Sequence, residues 1–347
     1  MTGPPEPALL PVEWLLDRTA ALCAHDTTTG GEDHGLPALR ALLAELDARV
    51  ETFVVAPGRS NVLATWGSTV RLLFSTHLDT VPPWFGPRQE RGLLHARGAC
   101  DAKGQVVAQL ATIRSLLAAG ITDLGWLGVV GEETDSVGAR SAVALAGRFT
   151  ACRALIGGEP TENRLATGQR GAQQLQLRVQ GVAAHSGTPE RGRSAIWPLL
   201  EWLERLRALP TAHDAELGDE IWNLGLLRGG EAPNVVPPHA EAQLFVRALP
   251  GSDFVARAQA LAPPHGTLEV VSATPADHFP RLPGFDRGVV PFGSDVPRLR
   301  ELVPGRTAAL VGPGSITVAH TAEERITAAE LQAGQHLLLR LARTLLA

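Results

Sequence analysis

Four short apolar runs with polar ends constrain the fold of this chain more than any other feature. The runs are RLLFSTHLD, LGWLGVVGEE, RALIGGEP and TAALVGPG, which begin at Arg71, Leu124, Arg153 and Thr307. Continuous apolar stretches of this length are typical of strands buried on both faces of a sheet. Helical patterns at 105–118 and 137–146 lie between them. This alternation predicts an α/β domain with a mostly parallel, helix-covered sheet.

The middle of the chain follows a different pattern. From about residue 172 to residue 273, alternating segments and helical segments succeed one another in the order β-α-β-β-α-β. This order is typical of a ferredoxin-like α+β module. We therefore expect the larger domain to occupy 1–168 and 275–347, and the inserted module to occupy 169–274. A chain of 347 residues is long enough for two such domains.

Composition excludes several classes of function. The formal net charge is −5 and no Lys/Arg-rich run occurs, so we expect neither a nucleic-acid partner nor an anionic membrane surface. The start of the chain lacks the pattern of a secretory signal, and no run of eighteen apolar residues occurs. A cytoplasmic protein is the expectation. Three scattered cysteines are too few for a disulfide framework or a thiolate metal cluster.

Polar side chains follow the ends of the predicted strands, where open α/β sheets bind their ligands. In chain order these strand-end residues are His77 with Asp79, Glu132 with Glu133, Glu159, and the segment from Gly314 toward His320. Asp101 adds another carboxylate, just before a predicted helix, in the sequence ACDAKG. The sequence thus predicts a polar site at one edge of the sheet.

The histidines and carboxylates of this set are suitable ligands for zinc, with cobalt or manganese as alternatives. Five of them are candidate ligands: His77, Asp101, Glu133, Glu159 and His320. Five protein ligands exceed what one open catalytic zinc uses, and a carboxylate shared between two metals would account for the surplus. The expected cofactor is therefore a pair of divalent metal ions.

Two further acids of the set have predicted roles beside the metals. Asp79 lies two residues beyond His77 on the same strand, and we expect it to accept the second N–H of that imidazole. Glu132 and Glu133 are adjacent, so on a strand only one of them can point at a metal, which leaves the other to transfer protons. The spacing alone does not say which.

Six blocks of the sequence resemble a known family in their order along the chain. They are HLDTVPP, GACDAKG, GEETDSVGA, GEPT, GVAAHSGTPERG and GPGSITVAHTAEE. The resemblance is to the aminoacylase/acetylornithine deacetylase/succinyl-diaminopimelate desuccinylase family of dinuclear zinc amidohydrolases, in the metallopeptidase clan of glutamate carboxypeptidase. It covers nearly the whole chain. It implies a zinc-peptidase-like catalytic domain, and a lid and dimerisation role for the inserted module.

The resemblance also implies roles for individual residues. His77 and Glu159 would hold one zinc, Glu133 and His320 the other, and Asp101 would bridge them. Glu132 would be the general base, which resolves the ambiguity of the adjacent pair. His185 would reach the active site of the partner subunit in a homodimer and stabilise the oxyanion. The residues expected to contact substrate are Arg170, Asn234, Arg247, Gly312 and Gly314.

The sequence leaves the reaction open between related alternatives. The first is removal of an acyl group from an N-acyl amino acid, as acetylornithine deacetylase does. The second is a metallo-dipeptidase or carboxypeptidase that cleaves short peptides, because one metal site can hydrolyse either amide. A third is a catalytically silent homologue that acts as a binding protein. The third is disfavoured because each metal position, and Glu132, has a chemically competent side chain.

Overall fold

The computed structural model describes residues 7–347, and these form two compact units. The first unit comprises the described residues up to Thr167 together with Phe279–Gly288 and Ser294–Ala347. The second comprises Gly168–His278 and Val289–Gly293. These boundaries differ from the boundaries after residues 168 and 274 that the sequence pattern predicts, and the pattern gives no sign that the short segment Val289–Gly293 belongs with the second unit. None of the described helices is long and apolar enough to cross a membrane.

Within residues 7–347, eighteen strands and eight α-helices are numbered in chain order. The strands are β1 (Arg49–Ala56), β2 (Arg59–Trp66), β3 (Leu72–His77), β4 (Arg88–Glu90), β5 (Leu93–His95), β6 (Leu124–Val129), β7 (Ala154–Gly157), β8 (Leu165–Gln169), β9 (Ala172–Gln180), β10 (His213–Asp214), β11 (Gly218–Asp219), β12 (Ile221–Gly229), β13 (His239–Arg247), β14 (Gly266–Thr274), β15 (Asp277–His278), β16 (Arg287–Val290), β17 (Thr307–Leu310) and β18 (Arg325–Thr327). The helices are α1 (Val12–Cys23), α2 (Leu36–Ala44), α3 (Lys103–Ala118), α4 (Val137–Ala142), α5 (Ile196–Arg207), α6 (Phe254–Ala260), α7 (Val296–Leu299) and α8 (Ala328–Leu346).

The first unit contains a six-stranded sheet in the order β1-β2-β6-β3-β7-β17. The pairs β6-β3, β3-β7 and β7-β17 are parallel, whereas β1-β2 and β2-β6 are antiparallel. Every residue of β3 and β6 is buried, as expected for strands covered on both faces. The predicted fold class, a helix-covered and mostly parallel sheet, is confirmed.

Helices α1, α3 and α8 pack on one another in the core of the first unit. Helix α3 is buried on almost every side, so both its apolar and its polar side chains pack inside the protein. Helix α8 begins with a capping box, in which Thr327 accepts the N–H of Glu330 while the Glu330 carboxylate accepts the N–H of Thr327. These helices fix the position of the segment that precedes α3, where Asp101 lies.

The second unit contains an antiparallel sheet in the order β12-β13-β9-β14, with α5 and α6 packed on one face. This is the β-α-β-β-α-β arrangement predicted from the sequence. Alternate residues of β13, such as Leu244 and Val246, are buried against residues of α5 such as Trp202. Strand β12 is an edge strand, and it exposes the apolar side chains of Ile221, Leu224, Leu226 and Leu227.

Candidate metal centre

The parallel strands β6, β3, β7 and β17 direct four loops to the same edge of the sheet. Strand β3 ends at His77, and Glu159 follows β7 by two residues. Glu133 follows β6, and the segment after β17 leads to His320. This convergence follows from the topology, because the carboxyl ends of parallel strands lie on one side of a sheet.

Two groups of side chains at this edge could each hold a metal ion. His77, Asp101 and Glu159 place one ligand atom each within 4.8 Å of one another. Asp101, Glu133 and His320 do the same. Asp101 belongs to both groups. The structure therefore brings all five predicted ligands together, in two groups that share one carboxylate.

Asp101 faces both histidines, one with each carboxylate oxygen. Its Oδ1 lies 2.8 Å from His77 Nε2, and its Oδ2 lies 3.3 Å from His320 Nε2. His320 Nε2 also lies 2.9 Å from one carboxylate oxygen of Glu133 and 3.1 Å from the other. An imidazole nitrogen and carboxylate oxygens that converge in this way form a donor set suited to zinc, cobalt or manganese.

The concentration of buried acids at the site shifts their pKa values strongly. Burial, reinforced by the charge of Glu159, raises the pKa of Glu132 well above its usual range. Burial and the charges of neighbouring carboxylates do the same for the pKa of Glu159, and burial raises the pKa of Glu133. Clustered carboxylates at such a site are stabilised by cations, so the electrostatics fit divalent metal ions as well as the donor atoms do.

The histidines compensate part of this negative charge. Hydrogen bonds to Asp101 and Glu133 raise the pKa of His320 to about 10. Burial opposes protonation of His77, but the hydrogen bond to Asp101 and the carboxylate of Asp79, 3.5 Å from Nδ1, outweigh it and raise the pKa of His77 well above its usual value. Burial likewise opposes ionisation of Asp101, but the two histidines outweigh it and hold the pKa of Asp101 below its ordinary value. Asp101 therefore ionises more readily than the three glutamates of the cluster, whose pKa values are raised.

Asp79 is connected differently from the sequence prediction. The nearest acceptor for His77 Nδ1 is the backbone carbonyl of Asp79, at 3.0 Å, whereas the Asp79 carboxylate lies 3.5 Å away. The carboxylate instead accepts three backbone N–H groups, from Gly131 and Glu132 on Oδ1 and from Glu133 on Oδ2. Asp79 therefore anchors the loop that carries both glutamates.

The expected strand alternation at Glu132 and Glu133 is wrong, because β6 ends at Val129 and these residues lie in a turn. Gly131 has a φ of 80°, and its carbonyl accepts the N–H groups of Asp135 and Ser136. The directions of the glutamate side chains are consequently set by this turn and by Asp79. Only Glu133 belongs to a candidate ligand group.

Packing explains the glycines Gly312 and Gly314 in the loop after β17. A Cβ on Gly312 would collide with the side chain of Gln105, and a Cβ on Gly314 would lie 2.6 Å from the Cβ of Cys100. Gly314 also has a φ of 84°, which favours glycine. The loop therefore packs closely against the segment that carries Asp101.

The remaining predicted site residues belong to the second unit. His185 is exposed, and its Nδ1 accepts the N–H of Gly187 at 3.0 Å. Asn234 lies beside it, since its carbonyl accepts the N–H of Ser186. Arg170 donates to the backbone carbonyls of Leu217 and Asp219.

Arg247 is half-buried, and its guanidinium lies 4.8 Å from the centre of the Phe245 ring. No hydrogen bond or ion pair to its guanidinium occurs within the part of the chain that the structure describes. Burial, together with the charge of Arg170, lowers the pKa of Arg247. The two arginines thus form a region of positive charge in the second unit, where an anion would be favoured.

Two residues that support the site have no assigned role in the sequence analysis. Thr29 donates its hydroxyl to Asp79 Oδ2 at 2.8 Å. Gln105, on the first turn of α3, donates to the carbonyls of Cys100 and Pro313 and so connects two loops of the site. The position of Gln105 just after ACDAKG is a sequence signal for such a role, whereas Thr29 lies in a polar loop without a recognisable pattern.

The fold has counterparts among known proteins. Residues 167–262 match a family model described as a peptidase dimerisation domain. A peptidase M20 domain-containing protein of Schizosaccharomyces pombe is 33% identical over 285 residues, which cover 80% of this chain and 70% of that protein. A probable carboxypeptidase of Aspergillus niger is 35% identical over 312 residues, which cover 80% of this chain and 75% of that protein.

Solved structures share the fold over almost the full length of the chain. An aminopeptidase from Bacillus cereus has a TM-score of 0.80 at 21% identity, covering 98% of this chain and 100% of that chain. A dinuclear metal-binding peptidase of the M20 family from Bacillus subtilis has a TM-score of 0.69 at 14% identity, covering 96% of this chain and 98% of that chain.

Proposed function

The chain belongs to the M20 family of metallopeptidases, hydrolases of amide bonds, and we propose that it is a dinuclear metal-dependent carboxypeptidase or dipeptidase. The observation that supports this most directly is the sharing of Asp101 between two ligand groups, with one carboxylate oxygen facing each histidine. Removal of an acyl group from an N-acyl amino acid is the first of the alternatives that the sequence leaves open. The relatives named carboxypeptidase favour the peptidase alternative instead.

Two divalent metal ions, zinc by preference, are the proposed cofactors. His77 and Glu159 would hold one ion, Glu133 and His320 would hold the other, and Asp101 would contact both. Such ions polarise a carbonyl group and lower the pKa of water to near neutrality. The five side chains supply only nitrogen and oxygen donors, which suits this chemistry.

Glu132 is the proposed general base and acid. It lies beside the ligand groups, its N–H is bound by Asp79, and it is the glutamate of the adjacent pair that belongs to neither group. Its raised pKa suits a group that accepts a proton from water and later returns it to the leaving amine. Asp79 would act by holding the loop of Glu132 and Glu133 in place.

The positive region around Arg170 and Arg247 supports a substrate with a free C-terminal carboxylate. Arg170 is occupied by backbone carbonyls, whereas the Arg247 guanidinium has free donors among the described residues. Arginine binds carboxylates through two parallel N–H groups, so Arg247 is the proposed carboxylate ligand. Asn234, Gly312 and Gly314 remain proposed contacts to the substrate backbone.

His185 is proposed to stabilise the oxyanion of the reaction. Because its Nδ1 accepts the N–H of Gly187, the neutral ring carries its proton on Nε2, which can donate to an anionic oxygen. We propose that it does so across a homodimer. The match to a dimerisation domain supports a second copy as the partner, and so do the exposed apolar side chains of β12, because an unpaired apolar edge strand favours association.

A substrate panel tests the proposal. Dipeptides and tripeptides with a free C-terminus should be hydrolysed in a metal-dependent manner, and the same peptides amidated at the C-terminus should be poor substrates. N-acetyl, N-succinyl and N-formyl amino acids distinguish deacylation. Faster turnover of these than of every peptide would contradict the proposal. A protein that binds less than one equivalent of metal and hydrolyses neither class would favour the silent homologue.

A further inference from the structure

A buried ion pair lies beside the ligand groups but belongs to neither of them. Arg97 Nη1 and Glu324 Oε2 are 2.6 Å apart, and each side chain is about 1% exposed. The two residues are 227 positions apart in the chain. Arg97 lies four residues before Asp101, and Glu324 lies four residues after His320. The pair therefore joins the two segments that carry these ligands.

The second carboxylate oxygen of Glu324 contacts the backbone at Asp101. Oε1 accepts the N–H groups of Asp101, at 3.2 Å, and of Cys100, at 3.3 Å. The backbone carbonyl of Glu324 also accepts the N–H of Ala96 at 3.2 Å. One glutamate thus binds the segment of Asp101 at three N–H groups, while its other oxygen is held by Arg97.

Arg97 is itself fixed on several sides. Its Nε donates to the carbonyl of Pro83, and its backbone N–H donates to the carbonyl of Phe85. Its guanidinium lies 5.0 Å from the centre of the Phe85 ring. A cation held in this way has one orientation available, so it holds the Glu324 carboxylate in one orientation as well.

Stability alone is a poor explanation for such a pair. Removing two charges from water is costly, and well-packed apolar residues in the same place are often no less stable. What an apolar pair could not do is accept the N–H groups of Cys100 and Asp101. Partners of this kind orient metal ligands, and their loss typically weakens metal binding by about 10–100-fold.

We infer that Glu324, held by Arg97, is a positioning residue that sets Asp101 against His320. The inference rests on the proposed metal centre. It concerns mainly the group formed by Asp101, Glu133 and His320, because both segments that Glu324 joins contribute to that group. The other group keeps His77 and Glu159, which lie outside the two joined segments.

Two double variants test the role of the Glu324 acceptor oxygen separately from its charge. The Met/Gln variant combines Arg97→Met with Glu324→Gln, and the Met/Met variant combines Arg97→Met with Glu324→Met. Both are uncharged at this place and nearly equal in volume. Only the first keeps an oxygen for the N–H groups of Cys100 and Asp101. Calorimetric titration of the metal-free proteins with Zn²⁺ should give two sites in each. One site should be about 10–100-fold weaker in the Met/Met variant and within a few-fold of wild type in the Met/Gln variant.

Two readouts exclude a general loss of structure. In metal-free protein, the Asp101 amide should exchange with solvent faster in the Met/Met variant than in the Met/Gln variant, while amides of the second unit exchange equally. A matched control removes the ion pair between Glu220 and Arg257, which are 3.2 Å apart in the second unit. Arg257→Met with Glu220→Met should leave both zinc affinities unchanged.

Equal zinc affinities and equal Asp101 exchange in the Met/Met and Met/Gln variants would overturn the inference. If the Met/Met variant does not fold, Glu324→Asp provides the same test. It keeps the charge but withdraws the oxygens by one methylene, so it should weaken one zinc site, and wild-type affinity would overturn the inference. A wild-type protein that binds fewer than two zinc ions contradicts the proposed function instead, which separates the two failures.

Discussion

Asp79 Oδ1 accepts the backbone N–H of Glu132 at 3.2 Å, and Oδ2 of the same carboxylate accepts the N–H of Glu133 at the same distance. One buried aspartate therefore holds both glutamates of a turn whose side chains have different surroundings. Glu133 faces His320, whereas Glu132 belongs to neither ligand group. The variants Glu132→Gln and Glu133→Gln should consequently have different defects, the first in proton transfer and the second in metal binding.

Glu132→Gln should abolish proton transfer without loss of metal. The expected loss of kcat is about 10²–10⁴-fold, because a positioned general base typically contributes that much. The neighbouring Glu133→Gln variant is the matched comparison, and it should lose about one equivalent of bound metal. Metal analysis together with steady-state kinetics on a dipeptide checks both. Substantial turnover by metal-loaded Glu132→Gln would exclude Glu132 as the base.

Asp101→Asn should lower the occupancy of both metal positions, because Asp101 contributes to both ligand groups. An amide offers one oxygen and no negative charge, so it cannot serve two cations in the same way. His320→Ala, by contrast, should lose one equivalent and keep the other. Metal content after dialysis against a limiting chelator measures the difference. Loss of a single equivalent in both variants would argue against a shared carboxylate.

The fold was predictable because its signals are local. The continuous apolar runs of β3 and β6 and the alternation along β13 follow from which faces are buried, and the order of the elements then determines the topology. The positions of the candidate ligands were predictable for the same reason, since His77 and Glu159 lie at or just after strand ends. Convergence at one edge is a consequence of parallel strands.

The connections around the ligands were not predictable. Strand alternation failed at Glu132 because the positive φ of Gly131 begins a turn before the glutamates. The contact of Arg97 with Glu324 joins residues 227 positions apart, and no periodicity indicates which acid meets which base. Asp79 was expected to accept the second N–H of His77 with its carboxylate, but its backbone carbonyl is the nearer acceptor, and the carboxylate accepts three backbone N–H groups. Such choices depend on packing that emerges only in the folded chain.

Arg247→Ala should discriminate between substrates with and without a C-terminal carboxylate. Hydrogen bonds to a charged group are worth roughly 1.5–3 kcal/mol, so kcat/KM for a free dipeptide should fall about 10–100-fold. Wild type and Arg247→Ala should hydrolyse the amidated peptide at equal rates. Arg247→Lys keeps the charge but loses the planar fork, and it should recover only part of the rate. An equal loss on both peptides would remove Arg247 from carboxylate recognition.

Asp295→Asn should stabilise the protein at neutral pH but not at acidic pH. Asp295 is only 5% exposed, and burial raises the pKa of its carboxyl group from 3.8 to about 6. Well below pH 3.8 the carboxyl is protonated in both the folded and the unfolded chain, so its ionisation costs no stability. As the pH rises toward 6, the unfolded chain ionises first, and folding becomes less favourable.

The gain in unfolding free energy for Asp295→Asn should accordingly grow between pH 4 and pH 6 and reach roughly 2–3 kcal/mol above pH 7. Urea unfolding of the metal-free proteins across this pH range measures it. Asp286→Asn, at an exposed position, is the control and should change stability by less than about 0.5 kcal/mol. A gain of the same size at pH 4 and pH 7 would show that ionisation is not the cause.

His185→Ala should lower kcat by roughly 10²–10³-fold, as removal of an oxyanion-hole donor does in other hydrolases. Because the residue is proposed to act on the partner subunit, the defect should be complementable. A His185→Ala chain mixed with a Glu132→Gln chain forms hybrid dimers in which one active site has Glu132 from one chain and His185 from the other. That site should recover activity, up to about half of the wild-type rate per hybrid dimer. No recovery after chain exchange has been verified by differential tagging would place the action of His185 within its own chain.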